Sequence, residues 1–243
     1  GTVSAVAVQP DGKIVIAGLF TGYNGDATAS DFVMRLNADG TPDTSFKPIG
    51  NGADQWVHAL AVQADGKIVI AGDFTSYDGD AAASDYVMRL NADGTRDTGF
   101  NAGGTGANAT VNAIAVQPDG RVIIGGVFTA YNGNVAANHY LVRLNTDGTP
   151  DATYNPGGTG PNALVYGVAV QPDGKIVVGG QFTVYNGDFA VPSHVMRLWS
   201  PPPLSPVCSG VPSGVISWWP GEGNAQDIVG HYDGTLQNGA TLG

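Results

Sequence analysis

Ala7–Gly18 reads AVQPDGKIVIAG, and the stretch decides the fold because it returns. It begins again at Ala61 as AVQADGKIVIAG, at Ala115 as AVQPDGRVIIGG and at Ala169 as AVQPDGKIVVGG. Each step is 54 residues, without insertion or deletion. A second block keeps the step: Met34-Arg35-Leu36-Asn37 becomes Met88-Arg89-Leu90-Asn91 and then Val142-Arg143-Leu144-Asn145. The fourth copy starts at Met196-Arg197-Leu198 and breaks at Trp199. A fixed period of this length marks a repeat architecture. Units start near residues 3, 57, 111 and 165, and the repeat region spans residues 1–198.

Within one unit the pattern is that of strands. Val3 to Gln9 alternates with period two, the mark of a pleated strand. Pro10-Asp11-Gly12 supplies a tight turn, since Pro fixes φ and Gly accepts a positive one. Lys13–Gly18 is a second strand, and the two form a hairpin. Asn24-Gly25 marks another turn, and Phe32–Asn37 is a third strand. Ala38-Asp39-Gly40 turns the chain into a short fourth strand over Thr41–Phe46. No segment has a 3.6-residue period, so a helical solenoid is excluded. The coils of a parallel β-helix are shorter than this unit. The expected fold is all-β: a β-propeller of four 54-residue, four-stranded blades, closed as a ring of four or as part of a larger or inter-chain assembly. Ala5 and Ala7, repeated at Ala59 and Ala61 and at Ala113 and Ala115, suit a crowded axis. Phe20, Phe74, Phe128 and Phe182, with Tyr23, Tyr77, Tyr131 and Tyr185, suit the wider space between blades.

The AVQPDGKIVIAG, FTxYNG and RLNxDGTxDxxF signatures resemble the delta-sixty repeat, a β-propeller repeat of bacterial surface and secreted proteins. The resemblance covers the four units. It implies a propeller and an extracellular or cell-surface setting, and it brings no catalytic residues with it.

After Leu198 the composition changes. Pro201-Pro202-Pro203 and Pro206 make residues 199–213 a stiff, extended linker. Residues 214–243 carry GVISWWPGEGNA from Gly214, DIVG from Asp227 and GTLQNG from Gly234. They are similar to the opening strands of laminin-G-like, concanavalin-type jelly rolls. That resemblance implies an incomplete jelly-roll start and, through it, carbohydrate binding or adhesion.

Charge narrows the partners. Ten basic against 21 acidic residues give a formal charge of −11. Nucleic acid is a poor partner, because phosphate binding needs clustered Lys and Arg. No run of residues is apolar and long enough for a membrane helix, so membrane insertion is not expected. Cys208 is the single cysteine and cannot form an internal disulfide.

Four sets of residues are candidates for a site. Arg35, Arg89, Arg143 and Arg197 recur at the repeat step, either as an anion-binding ring or as ion pairs between blades. The turns with Asp39, Asp43, Asp93, Asp97, Asp147 and Asp151 are similar to a D-x-D-x-D-G calcium loop. Arg35 stands where the first carboxylate belongs and Phe46 where the closing Glu belongs, so a hairpin turn capped by Asp is the better reading. No other cofactor is expected. His58, His139, His194 and His231 lack metal-ligand spacing, and no nucleophile elbow, phosphate loop or zincin motif is present. Ser4, His58, Asn112 and Tyr166 share one repeat position and yet differ, as a specific site would. The loops Asp26–Asp31, Asp80–Asp85, Asn134–His139 and Asp188–Ser193 vary in the same way.

The function expected is therefore non-catalytic: an extracellular scaffold, adhesion or binding module, with an extracellular glycan or the chain itself as partner. Self-assembly would join blades or strands into an oligomer or filament. The competing reading is an accessory or catalytic propeller of a secreted polysaccharide-acting enzyme, which requires paired carboxylates at one mouth of the axis.

Overall fold

The computed structural model describes residues 1–24, 32–46, 52–81, 85–134, 139–190 and 193–198. The linker, the jelly-roll start and Cys208 lie outside the described residues, as do Asp26–Asp31 and the middle of each later loop.

Among the described residues, twelve strands form four three-stranded antiparallel sheets, one per unit. Blade 1 holds β1 (Thr2–Val8), β2 (Ile14–Leu19) and β3 (Val33–Leu36). Blade 2 holds β4 (Val57–Val62), β5 (Ile68–Gly72) and β6 (Val87–Leu90). Blade 3 holds β7 (Val111–Val116), β8 (Val122–Gly126) and β9 (Leu141–Leu144). Blade 4 holds β10 (Val165–Val170), β11 (Ile176–Gly180) and β12 (Val195–Leu198). In each sheet the second strand is central. The first strands pack on one another in chain order, β1 on β4, β4 on β7 and β7 on β10, and so form the inner edge of the row.

The turns follow the sequence closely. Gly12 has φ 83°, and its N–H donates to Gln9 O at 2.9 Å. Asp11 Oδ1 accepts from Lys13 N at 3.1 Å. At the second turn, Asp78 and Gly79 both have positive φ, 53° and 77°, as a type I′ turn requires.

In blades 1–3 the fourth strand does not form, and its place in blade 4 lies outside the described residues. Among the described residues one bridge continues the sheet in each of blades 1–3: Leu36 with Pro42, Leu90 with Arg96 and Leu144 with Pro150. The chain is bent away at the next residue. Asp43 N–H still donates to Arg35 O at 2.9 Å, but Asp43 Oδ1 takes the N–H of Ser45 at 3.0 Å. That side chain-to-backbone bond competes with a strand ladder and ends it.

Phe32, Tyr86, Tyr140 and His194 precede the third strands with φ between 61° and 69°. Left-handed backbone is uncommon at bulky residues. Both backbone groups of Phe32 are satisfied, its N–H by Phe20 O and its C=O by Gly18 N, each at 2.9 Å. The same two bonds hold Tyr86, Tyr140 and His194.

The core lies between blades. One face of blade 1, with Val15, Ala17 and Val33, joins the opposite face of blade 2, with Ile68, Ile70, Phe74, Tyr77, Met88 and Leu90. The same pairing unites blades 2 and 3, and blades 3 and 4. Phe74, Phe128 and Phe182 are fully buried there. Each such side chain contributes about 1.5–3 kcal/mol. Small residues face large ones at the inner edge: Ala5 shares its cluster with Leu60 and Val62, and Ala115 shares its cluster with Val168. Blade 1's own Ile16, Phe20, Met34 and Leu36 form a separate cluster.

Candidate functional site

Two kinds of polar cluster are built on these blades. The first repeats. Arg35, in β3, donates Nε to Asp43 Oδ2 at 2.7 Å, and its guanidinium lies 4.9 Å over the Phe46 ring. Its Nη1 crosses to the next blade and donates to Ala92 O at 2.5 Å. Lys13 Nζ adds a second bond to Asp43 at 2.7 Å. Arg89 repeats this with Asp97, Phe100 and Thr146 O, and Arg143 pairs with Asp151 over the Tyr154 ring. The ion pair therefore sits inside one blade, and a backbone carbonyl makes the link between blades. Arg197 differs: it is exposed. Burial raises the Asp43 carboxyl, but the bonds from Lys13, Ser45 and Arg35 outweigh it and hold the group well below the ordinary range. Asp97 is lowered by the same balance of burial against Lys67 and Arg89, and Asp151 by burial against Thr153, Arg143 and Arg121.

The turn aspartates are also engaged. Asp39 Oδ1 accepts from Thr41 N at 2.9 Å and from Thr41 Oγ1 at 2.6 Å, and Asp93 and Asp147 do the same with Thr95 and Thr149. These bonds lower the Asp39 carboxyl, the hydroxyl bond most. Among the described residues no three His, Cys, Asp or Glu side chains converge as metal ligands.

The second cluster does not repeat. In every blade the register of the first strand slips at one residue: between Val3 and Ala5, Val57 and Ala59, Val111 and Ala113, and Val165 and Gly167. The residues left out of the ladder are Ser4, His58, Asn112 and Tyr166. They are β-bulges, which re-aim a side chain and are over-represented beside functional sites. A glycine faces each bulge. A Cβ at Gly72 would lie 2.0 Å from Trp56 O, and the fit is as close at Gly18, Gly126 and Gly180.

Side-chain contacts tie Ser4, His58 and Asn112 to residues of the next blade. Trp56 Nε1 donates to Ser4 Oγ at 2.7 Å, and its ring centroid lies 4.5 Å from that of His58. His58 Nε2 is 3.0 Å from Asp73 Oδ2, and Thr110 Oγ1 donates to Asp73 Oδ1 at 2.6 Å. Asn112 Nδ2 donates to Val165 O at 2.9 Å. Tyr166 is 53% exposed. The structure thus brings the four sequence candidates to one rim and adds Trp56, Asp73 and Thr110, which the sequence reading missed. A signal was present: Trp56 and Thr110 share a repeat position, two before the bulge, and that position varies as the bulge does.

A domain-family model for a β-propeller of unknown function, DUF5122, matches residues 9–46, 63–100, 117–154 and 171–191, more than half of the chain. The chain belongs to the DUF5122 β-propeller family. No curated protein matches it. Among solved structures it is similar to the WD40 propeller of Doa1, at 14% identity and a TM-score of 0.47, over 81% of this chain and 50% of that one. It is also similar to the RRP9 WD40 repeats, at 13% identity and a TM-score of 0.47, over 74% of this chain and 45% of that one. The extracellular domain of BT4673 from B. thetaiotaomicron matches at 16% identity and a TM-score of 0.42, over 74% of this chain and 19% of that one. The DUF5122 chain thus spans half or less of each of these.

The matched DUF5122 segments begin at Gln9, Gln63, Gln117 and Gln171, and the first three end at Phe46, Phe100 and Tyr154. They hold the repeated Arg–Asp cluster of blades 1–3 and leave every bulge residue outside. A small cavity of about 160 Å³ lies at the Arg143 end of blade 3, lined by Asn134, Asp151 and Tyr154 among others. In blade 2 an Arg96–Asp80 ion pair stands at the equivalent position. Blade 3 has Pro150 and Asn134 there instead. Among the described residues no helix is long and apolar enough to cross a membrane.

Proposed function

We propose that this chain is a non-catalytic scaffold and binding module of the cell surface, and that the bulge rim takes an extracellular glycan. The bulges carry the reading. A framework that repeats to the residue breaks its own ladder once per blade, and each time presents a different side chain. Sugars have polar edges and apolar faces. The rim offers the Trp56 and His58 rings and Tyr166 for the faces, and Ser4, Asn112 and Asp73 for the edges. The resemblance to the delta-sixty repeat and to a jelly-roll start supports the same setting.

The rim's one His–carboxylate pair is spent on itself and on Thr110. A glycosidase needs two carboxyl groups flanking the bond, and of Ser4, Trp56, His58, Asp73, Thr110, Asn112 and Tyr166, Asp73 alone carries one. A glycan array, run with a hydrolysis assay on each bound glycan, tests the reading. Binding without turnover is expected, and it should be lost in a His58→Ala, Tyr166→Ala double variant. Binding unchanged in that variant would remove the rim from consideration, and turnover would favour the polysaccharide-acting enzyme.

A further inference from the structure

The second turns of blades 3 and 4 carry an Asn-Gly pair, and each turn is latched to the preceding blade. Among the described residues the complete Asn-Gly pairs are Asn132-Gly133 and Asn186-Gly187. Asn132 and Asn186 have φ 50° and 52°, and their glycines 72° and 79°. Each asparagine exchanges two side-chain bonds with an asparagine of the blade before it. Asn132 does so with Asn101 at 2.7 and 3.0 Å, and Asn186 with Asn155 at 2.5 and 2.9 Å. Each Oδ1 also accepts a backbone N–H, from Gly106 at 2.9 Å and from Gly160 at 2.8 Å.

The two latches differ in what covers them. Asn101 is 3% exposed and Asn132 is half-buried, whereas Asn186 is exposed. The space beside Gly187 is open, since a Cβ there would meet nothing within 4 Å. Blade 2 has Asp78-Gly79 in the same turn, at φ 53° and 77°. Asp78 Oδ1 accepts from Gly52 N at 2.8 Å, as the two asparagines do from their own glycines. The turn therefore accepts a carboxylate where blades 3 and 4 have a carboxamide.

We propose that Asn186 is a site of spontaneous deamidation, and that the amide exchange with Asn155 governs its rate. The Gly187 nitrogen attacks Asn186 Cγ, and no Cβ on the glycine hinders ring closure. That C–N bond forms as the bond from Cγ to Nδ2 breaks. The Gly187 proton passes through solvent to the departing nitrogen, which leaves as ammonia. Water then opens the succinimide ring at either carbonyl, giving aspartate or isoaspartate. One water is consumed, one ammonia is released, and nothing is oxidised or reduced. The attack needs a carboxamide free to turn toward its own backbone, so the bonds to Gly160 and Asn155 must open first. At Asn132 the same opening also uncovers the buried Asn101, so it is rarer. The aspartate product keeps the bond from Gly160 N but has no Nδ2 to donate to Asn155 Oδ1. Isoaspartate adds a carbon to the backbone and breaks the turn that holds Tyr185 against Pro161. Either product loosens blade 4 from blade 3.

Peptide mapping by mass spectrometry of the full 243-residue chain, aged at neutral pH, tests this. Asn186 converts about tenfold faster than Asn132, the difference that one additional buried hydrogen bond makes. Both rates rise with pH, because the attacking nitrogen must lose its proton. In the urea-unfolded chain the two rates converge, since Tyr-Asn-Gly is the local sequence at both sites. Asn155→Ala speeds conversion of Asn186 and leaves Asn132 unchanged. Asn186→Asp, which carries the product from the start, lowers the melting temperature by about 2–4 °C. Equal rates in the folded chain, or an unconverted Asn186, would overturn the proposal. A gap that persisted in urea would assign the difference to sequence and overturn the role of the latch. A rate at Asn186 indifferent to Asn155→Ala would do the same.

Discussion

The seam and the rim solve opposite problems with the same strands. Arg35, Arg89 and Arg143 sit in nearly identical surroundings, each pinned by a carboxylate and an aromatic ring inside its own blade. Ser4, His58, Asn112 and Tyr166 sit at one backbone position in four different surroundings. Where the ladder is regular, the residue is dictated by its neighbours. Where the ladder slips, the backbone stays the same and the side chain is free to differ.

The largest expected effect lies in the seam. Arg89→Leu leaves the partly buried Asp97 with Lys67 and the Gly99 N–H and removes the bond to Thr146 O. Losing one member of a buried pair costs about 3–5 kcal/mol. Urea unfolding should show that loss, and a cost under about 1 kcal/mol would mean the Arg cluster is not what joins the blades.

Gly72→Ala comes next and links the two regions. The new Cβ meets Trp56 O at 2.0 Å, so backbone must move. Overpacking of this kind costs about 1–3 kcal/mol. It also displaces the bulge, so the Trp56–His58 ring contact should change in NMR chemical shifts. Stability lost without any change at His58 would mean that the glycine does not set the bulge.

Acid separates the regions without mutation. The Asp43, Asp97 and Asp151 carboxyls are lowered in the folded chain. Their stabilisation is therefore full above the unfolded carboxylate value of about 3.9 and is lost as pH falls through the lowered folded values. Melting temperature should be flat near neutrality and decline below about pH 4. In an Asp97→Asn variant the decline should be shallower, and an equal decline would clear Asp97 of the effect.

Tyr166→Ala should do least to the fold. The side chain is half in water, so the change in stability should stay within about 0.5 kcal/mol. A drop of about 2 kcal/mol in thermal or urea unfolding would show that the rim is framework after all.

The seam was largely legible in the sequence and the rim only in outline. The 54-residue step, the Asp-Gly and Asn-Gly turns and the recurring Phe and Tyr are local or periodic signals. Local chemistry places them: Gly12 at positive φ, Phe74 under the preceding blade. The fourth strand failed because Asp43 had two competing uses, a strand ladder or a turn with Ser45, and spacing does not rank them. The bulge is a property of register, and register appears only when two strands are paired. Gly18, Gly72, Gly126 and Gly180 were its trace, readable once a backbone is seen pressed against them. The left-handed Phe32, Tyr86, Tyr140 and His194 left no trace, because side chains of that size give no local reason for the conformation.

The register slip at Ser4, His58, Asn112 and Tyr166 has an evolutionary consequence. A residue inside a β-ladder is answerable to two neighbours, so changing it demands matching changes elsewhere. A residue expelled from the ladder answers to none of them. Four such positions, one per blade and spaced by a fixed interval of sequence, behave as letters in a short word, read through side-chain contacts such as the one Trp56 makes between Ser4 and His58. Selection can rewrite that word one letter at a time while the alphabet's backing, the twelve strands, is left alone.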